Sequence, residues 1–258
     1  AATTTLTLLR DGNQLQIQTA SETHLSQSLG STNQIAYLNL REYTTVSADR
    51  VRDDYTSLVS TGSGGTGGVI LDLRQNGGGS LSGAWNLTDF FGPGSFNNQI
   101  MFSLQQQSQG FDYRFGVYGS NLGITDPSKF VILIDGSSAS ASELTSAVLK
   151  DLGISTLMGG ITYGKGVGQN VVGLIDGSGV YITSFELLSP LGNSWHDLGV
   201  SPDYSLSTLL PATPTDDTLL QAAIDFLENG SVRQATTSRR TTKPPLLLPV
   251  PNYTHPWD

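Results

Sequence analysis

Apolar and polar positions along this chain fall into short blocks whose periods predict strands alternating with helices. Thr4 to Leu9 and Leu15 to Thr19 alternate every second residue about the polar Arg10-Asp11-Gly12-Asn13, the pattern of a hairpin. Ile35 to Leu40 reads as a strand and Ala48 to Ser60 as a helix capped by Ser47. Gly68 to Leu73 is apolar enough for a strand covered on both faces. The same alternation predicts a helix over Leu81 to Phe91, strands over Gln99 to Ser103 and Tyr113 to Tyr118, a buried strand over Phe130 to Ile134 and a helix over Ser140 to Leu152. Thr156 to Met158, Gly168 to Leu174 and Gly179 to Leu188 return to strand. A last amphipathic helix, Thr215 to Leu227, ends at Asn229-Gly230, the usual C-terminal stop.

After Gly230 the pattern breaks. Residues 231–258 carry Arg233, Arg239, Arg240 and Lys243, five prolines and the run Leu246-Leu247-Leu248, which predicts an extended arm. Its leucines and basic residues suit packing along its own acidic body or along a neighbouring copy, the second of which makes a homo-oligomer through the arm; the alternative is a flexible linker. Three divisions result: an N-terminal hairpin at 1–30, an α/β core at 31–230 and the Pro-rich arm at 231–258.

Composition narrows the function classes. The chain has 258 residues, 37% hydrophobic and 14% charged, with 30 glycines, which suits a folded and loop-rich domain. A formal charge of -9 argues against nucleic acid or an anionic membrane surface as the main partner, because both reward clustered Lys and Arg. With no cysteine, thiolate metal sites, disulfides and cysteine nucleophiles are excluded. Three scattered histidines offer no metal-ligand spacing, so no metal or cofactor is expected. No apolar run approaches the ~18 residues of a membrane span. The chain begins at Ala1 without a signal peptide, which fits a processed protein or an excised piece.

Three segments carry candidate chemistry. Asp135-Gly-Ser-Ser-Ala-Ser-Ala-Ser-Glu143 joins a predicted core strand to a helix, where free N–H groups and the helix dipole can stabilise an oxyanion. Ser137, Ser138, Ser140 and Ser142 all remain nucleophile candidates on this ground, while Asp135 and Glu143 suit a helix N-terminus as loop and first-turn acids. The second segment holds Lys165 between Gly164 and Gly166, 25 positions after Ser140. A serine and a lysine so placed supply nucleophile and base without histidine. To act as a base the amine must be neutral, and close-packed glycines let backbone approach and exclude water from it. Gln169, four residues on, can hold that amine by a hydrogen bond. A third segment, Asp72-Leu-Arg-Gln-Asn-Gly-Gly-Gly79, follows a buried strand but matches neither phosphate-binding fingerprint, so an oxyanion loop is preferred to a nucleotide site.

These blocks, with Tyr163-Gly-Lys-Gly166 and Gly199-Val-Ser-Pro-Asp203, resemble in order those of the carboxyl-terminal processing proteases, also called tail-specific proteases. The likeness covers about residues 30 to 230. It implies an α/β fold with a ClpP/crotonase-like core of stacked β-β-α units, and a serine endopeptidase that works through an acyl-enzyme. Carried over by position, Ser140 is the nucleophile, Lys165 the general base and Gln169 its orienting partner, with the N–H groups of Gly78 and Ala141 as oxyanion hole. Asp151 matches an acidic position of the family, read as structural. The implied partners are protein or peptide substrates with accessible apolar C-terminal segments, in an extracytoplasmic bacterial setting.

The chain departs from the family pattern at three places: Gly77 stands where proline is common, Tyr163 where phenylalanine is common, and residues 3–20 resemble only the last strand and exit of the PDZ domain that usually precedes the core. Two other classes compete. Retinoid-binding modules of similar fold lack protease function, though they are not expected to keep both Ser140 and Lys165. A Ser/His/Asp hydrolase would need His24 or His196, neither of which lies in a motif, and both are expected at the surface.

Overall fold

A computed structural model describes residues 35–60, 67–92, 126–206 and 217–230, together with the backbone of several further strands. The N-terminal strands β1 (Thr5–Arg10) and β2 (Asn13–Gln18) form the expected antiparallel hairpin. The main sheet has seven strands: β3 (His24–Leu29), β4 (Ile35–Leu40), β5 (Gly68–Asp72), β8 (Phe130–Ile134), β9 (Thr156–Gly159), β12 (Tyr204–Ser205) and β13 (Thr236–Thr237). Its order is β13-β12-β9-β8-β5-β4-β3. The pairs from β4 through β12 are parallel, while β3 and β13 close the two edges antiparallel. A second sheet, in the order β10-β11-β6-β7, contains β6 (Ile100–Gln106), β7 (Phe111–Gly116), β10 (Val167–Gly173) and β11 (Gly179–Leu188).

The central strands are covered on both faces, and their alternation assigns each residue to one of two cores. Ala36, Leu38 and Leu40 of β4, Val69 and Leu71 of β5, and Phe130, Ile132 and Ile134 of β8 face the helices α1 (Ser47–Ser60), α2 (Leu81–Phe91) and α3 (Ala141–Asp151). Ile35, Tyr37, Ile70, Val131 and Leu133 face the opposite way, onto Leu219, Ala223, Phe226 and Leu227 of α4 (Thr218–Asn229). Burying each such side chain contributes about 1.5–3 kcal/mol before the entropy of ordering is counted. The helix α4 ends at Gly230 in the left-handed region, as the Asn-Gly stop predicts.

Three strands are additional to the expected set, the two-residue β12 among them. β3 puts residues of the N-terminal division into the main sheet, and β13 brings Thr236–Thr237 of the predicted arm onto its other edge. The rest of the arm, and the side chains of the N-terminal strands including His24, lie outside the described residues. No helix among the described residues is long and apolar enough to cross a membrane.

Candidate active site

The glycine loop and the serine loop leave the carboxyl ends of adjacent parallel strands, the usual place for a site in an α/β sheet. After β5 the chain turns through Arg74 and Gln75 into the glycines, then enters α2 with Ser80 accepting a hydrogen bond from Gly83 N–H. After β8 it turns through Asp135 to Ala139 and enters α3. Asp135 binds the two turns together: its Oδ1 accepts from the N–H groups of Gln75 (3.1 Å), Ser137 (2.9 Å) and Ser138 (3.1 Å). Ser138 Oγ donates to Leu73 O at 2.8 Å, Ser142 Oγ to Asn76 O at 2.9 Å, and Ala139 N–H to Asn76 O at 3.0 Å. These bonds consume the hydroxyls of Ser138 and Ser142, both fully buried, and so separate them from Ser140 as nucleophile candidates.

Ser140 has φ +55° and ψ -112°, a conformation that costs a non-glycine residue on the order of 1–3 kcal/mol and recurs where a nucleophile is held on a sharp strand-to-helix turn. It immediately precedes Ala141, the first residue of α3, whose N–H belongs to the free donors of a helix N-terminus. Gly78 lies against this turn. With φ +99°, a Cβ placed on it would stand 2.6 Å from Ala139 O, 2.8 Å from Ser140 Cβ and 3.0 Å from Ala141 N, so only glycine fits. The N–H of Gly78 donates to Asn76 Oδ1 at 2.9 Å. The expected oxyanion donor therefore has an intramolecular acceptor in this conformation.

Lys165 reaches the same place through Glu143. This carboxylate is fully buried and accepts four hydrogen bonds: Oε2 from the N–H groups of Ser140 and Lys165, each at 2.8 Å, and Oε1 from Gly164 N–H at 2.6 Å and Thr162 Oγ1 at 2.5 Å. A first-turn acid at N3 of a helix is unremarkable on local grounds. Here it also staples the loop of the candidate base to the turn of the candidate nucleophile, which its sequence position alone does not reveal. Lys165 itself is half-buried. The flanking glycines are required by close backbone approach, since a Cβ on Gly166 would stand 2.7 Å from His196 N. The segment Gly199 to Asp203 supports the lysine loop from outside: Val200 N–H donates to Thr162 Oγ1 at 2.6 Å, and Asp203 Oδ2 accepts from Leu157 N–H at 2.9 Å.

Gln169 sits at a bulge of β10, exposed, with its amide nitrogen 3.4 Å from Thr183 Oγ1 on the paired strand. His196 is partly exposed, as expected, but one ring nitrogen lies 3.3 Å from Gly164 O, directly before Lys165. Asp151, at the end of α3, accepts from Leu191 N–H at 3.4 Å, and burial raises its pKa. No cluster of groups suited to a metal ion occurs among the described residues.

The model of peptidase family S41 matches residues 34–206, which contain every element of this site. The chain belongs to that family. Curated relatives include the chloroplastic C-terminal processing peptidase of Tetradesmus obliquus, 31% identical over 71% of this chain and 37% of the relative. The carboxyl-terminal-processing protease of a Synechocystis strain is also 31% identical, over 76% of this chain and 44% of that protein. The chain thus spans less than half the length of either. Among solved structures, the photosystem II D1 C-terminal processing protease matches with a TM-score of 0.64 at 24% identity, over 83% of this chain and 56% of that one. A putative S41 protease from Bacteroides fragilis matches with a TM-score of 0.67 at 20% identity, over 89% and 66%. At these identities the solved structures support the α/β fold.

Proposed function

We propose that this chain is the catalytic part of a serine endopeptidase that cleaves protein substrates near their C-terminal segments. The observation that carries the reading is the single oxygen of Glu143 that accepts from the backbones of both Ser140 and Lys165. Two loops far apart in sequence are thereby held at one point, with a strained serine at a helix N-terminus on one side and a glycine-bracketed lysine on the other. The names of the curated relatives support the same activity.

In this reading Lys165 Nζ takes the proton from Ser140 Oγ as the oxygen attacks the scissile carbonyl carbon. The carbonyl oxygen becomes an oxyanion facing Ala141 N–H and Gly78 N–H, and at Gly78 it takes the place that Asn76 Oδ1 holds in the free protein. Collapse breaks the C–N bond, the lysine returns the proton to the leaving amine, and water then releases the acyl group from Ser140 by the same route. The partial positive charge at the N-terminus of α3 favours the oxyanion throughout. Gln169 orients the Lys165 amine through its carboxamide oxygen while its nitrogen remains on Thr183. No cofactor enters any step.

The test is cleavage of an unfolded protein with an apolar C-terminus by the wild type and by Ser140→Ala, with the products read by mass spectrometry. Internal cleavage by the wild type and its loss in Ser140→Ala are expected. Equal cleavage by both proteins refutes the assignment.

A further inference from the structure

The glycine loop is also held by a buried ionic cluster that the Ser/Lys chemistry does not use. Arg74 opens the turn after β5, and its guanidinium lies between two carboxylates. On one side Nε is 2.9 and 3.1 Å from the two oxygens of Asp72, with Nη2 2.6 Å from Oδ2. On the other, Nη1 and Nη2 form a two-pronged pair with Asp217, at 2.9 and 2.7 Å. Tyr37 donates its hydroxyl to Asp72 at 2.8 Å. Asp217 is the N-cap of α4, where its Oδ1 also accepts from Leu220 N–H at 3.0 Å. Burial by itself lowers the Arg74 pKa, but the hydrogen bonds and charges of Asp72 and Asp217 outweigh it and push the value up, so the guanidinium keeps its charge.

Stability does not explain the second carboxylate. Arg74, Asp72 and Asp217 are 6%, 2% and 8% exposed, and two carboxylates against one cation leave a buried negative charge, an arrangement that apolar packing commonly equals or betters. The helix α4 is already docked by Leu219, Ala223, Phe226 and Leu227. What the fork does fix is direction: a planar guanidinium clamped on two sides cannot rotate, nor can the main chain that carries it. That main chain leads at once into Gln75, at φ +59°, then Asn76 and Gly78 beside Ser140.

We propose that Asp217 is a positioning residue for the oxyanion loop, holding through Arg74 the turn that sets Gly78 against Ser140. The proposal rests on the reading of Ser140 as nucleophile, and it makes the cap of α4, 143 residues from Arg74, a working part of the site.

Asp217→Asn isolates this role. Asparagine caps a helix as well as aspartate, and the variant leaves Arg74 and Asp72 as a neutral pair, so folding is retained. Asp217→Ser, a second variant, keeps the cap without the fork. Two readouts are taken on the wild type, both Asp217 variants and Ser140→Ala: the kinetics of peptide hydrolysis, and amide hydrogen exchange of residues 73–80 by mass spectrometry. In both Asp217 variants kcat is expected to fall about tenfold with KM within about twofold, since small misplacements act on the reacting geometry. Exchange over 73–80 is expected to quicken while β4 and β8 keep their protection. Unchanged exchange over 73–80 overturns the proposal, as does quickening spread equally through β8 and α4, which marks a merely structural role. Unchanged kcat with a loosened loop also overturns it. Full activity in Ser140→Ala instead removes the nucleophile reading, and the exchange result then judges by itself whether Asp217 holds the loop.

Discussion

Ser140 and Lys165 donate their backbone N–H groups to the same oxygen, Glu143 Oε2, each at 2.8 Å. The relative position of the two candidate catalytic residues is therefore set by one buried carboxylate. Its other oxygen is committed to Gly164 and Thr162, so no oxygen of Glu143 can leave one loop without releasing a donor.

Glu143→Gln tests that arrangement with almost no change of shape. The carboxamide presents one acceptor and one donor where two acceptors are needed, so two buried N–H or O–H groups on one side lose their partner and meet another donor. Each unsatisfied group costs about 1–3 kcal/mol. The variant is expected to melt several degrees below the wild type and to lose at least about tenfold in kcat, measured well below its melting temperature. Wild-type kcat in Glu143→Gln argues that the staple does not position the site.

Gly78→Ala addresses the other side of Ser140. The added methyl group meets Ala139 O and Ser140 Cβ at 2.6 and 2.8 Å, and the backbone stands at φ +99°. Backbone cannot yield as a flexible side chain can, so a loss of about 1–3 kcal/mol in stability and a larger loss of activity are expected. Gly77→Ala serves as the control, because a Cβ there meets nothing within 4 Å. Thermal melts and hydrolysis rates of the pair decide the matter, and equal activity in the two variants contradicts the placement of Gly78.

The parts of this protein that are legible in its sequence are those decided by local pattern. β8 is an apolar run throughout and β4 and β5 are broken only by Asn39 and Asp72, because both faces are buried, and α4 ends where Asn229-Gly230 predicts. β3, His-Leu-Ser-Gln-Ser-Leu, shows only two apolar residues, and it forms because β4 offers an edge to pair with, a property of another segment. The site follows the same division. Ser140 and Lys165 stand in recognisable blocks, whereas Glu143 is already explained by its own helix, and its partners at 162–165 come into view only when the chain is folded. Asp217 falls inside the helix predicted from Thr215, and both its place as the cap of α4 and its pairing with Arg74 come into view only in the fold. Gln169, expected beside the Lys165 amine, has its nitrogen directed across the ribbon to Thr183, a pairing created by strand register.

The dyad makes a prediction in which the combination matters more than either residue. If Lys165 acts only by removing the proton of Ser140, then Ser140→Ala and Lys165→Ala should each lower hydrolysis by several orders of magnitude, and the double variant should be scarcely worse than either. Lys165→Arg should be as inactive as Lys165→Ala, because a guanidinium does not surrender its proton in any working range of pH. Single-turnover hydrolysis of the four proteins measures this. Additive losses in the double variant, or appreciable turnover by Lys165→Arg, remove lysine from the role of base.

Asp151 gives the fold a pH dependence whose sign is fixed by its surroundings. Burial at the end of α3 raises its pKa, opposed in part by hydrogen bonds from Ser189 and Leu191 and by the charge of Lys150. The folded protein therefore holds this proton more tightly than the unfolded chain, where the value is about 3.9. Between the unfolded value and the raised folded one, the native state binds more protons, so stability falls as pH rises through that window and the cost persists at neutral pH. Asp151→Asn removes the ionisation while its amide oxygen can still accept from Leu191 N–H. The variant is expected to melt above the wild type at pH 7, with the difference closing as pH is lowered below about 4, where the wild-type carboxyl is protonated in both states. Melting curves across that range measure it. A variant less stable than the wild type at pH 7 would show instead that the charged carboxylate gains more from Ser189, Leu191 and Lys150 than burial takes away.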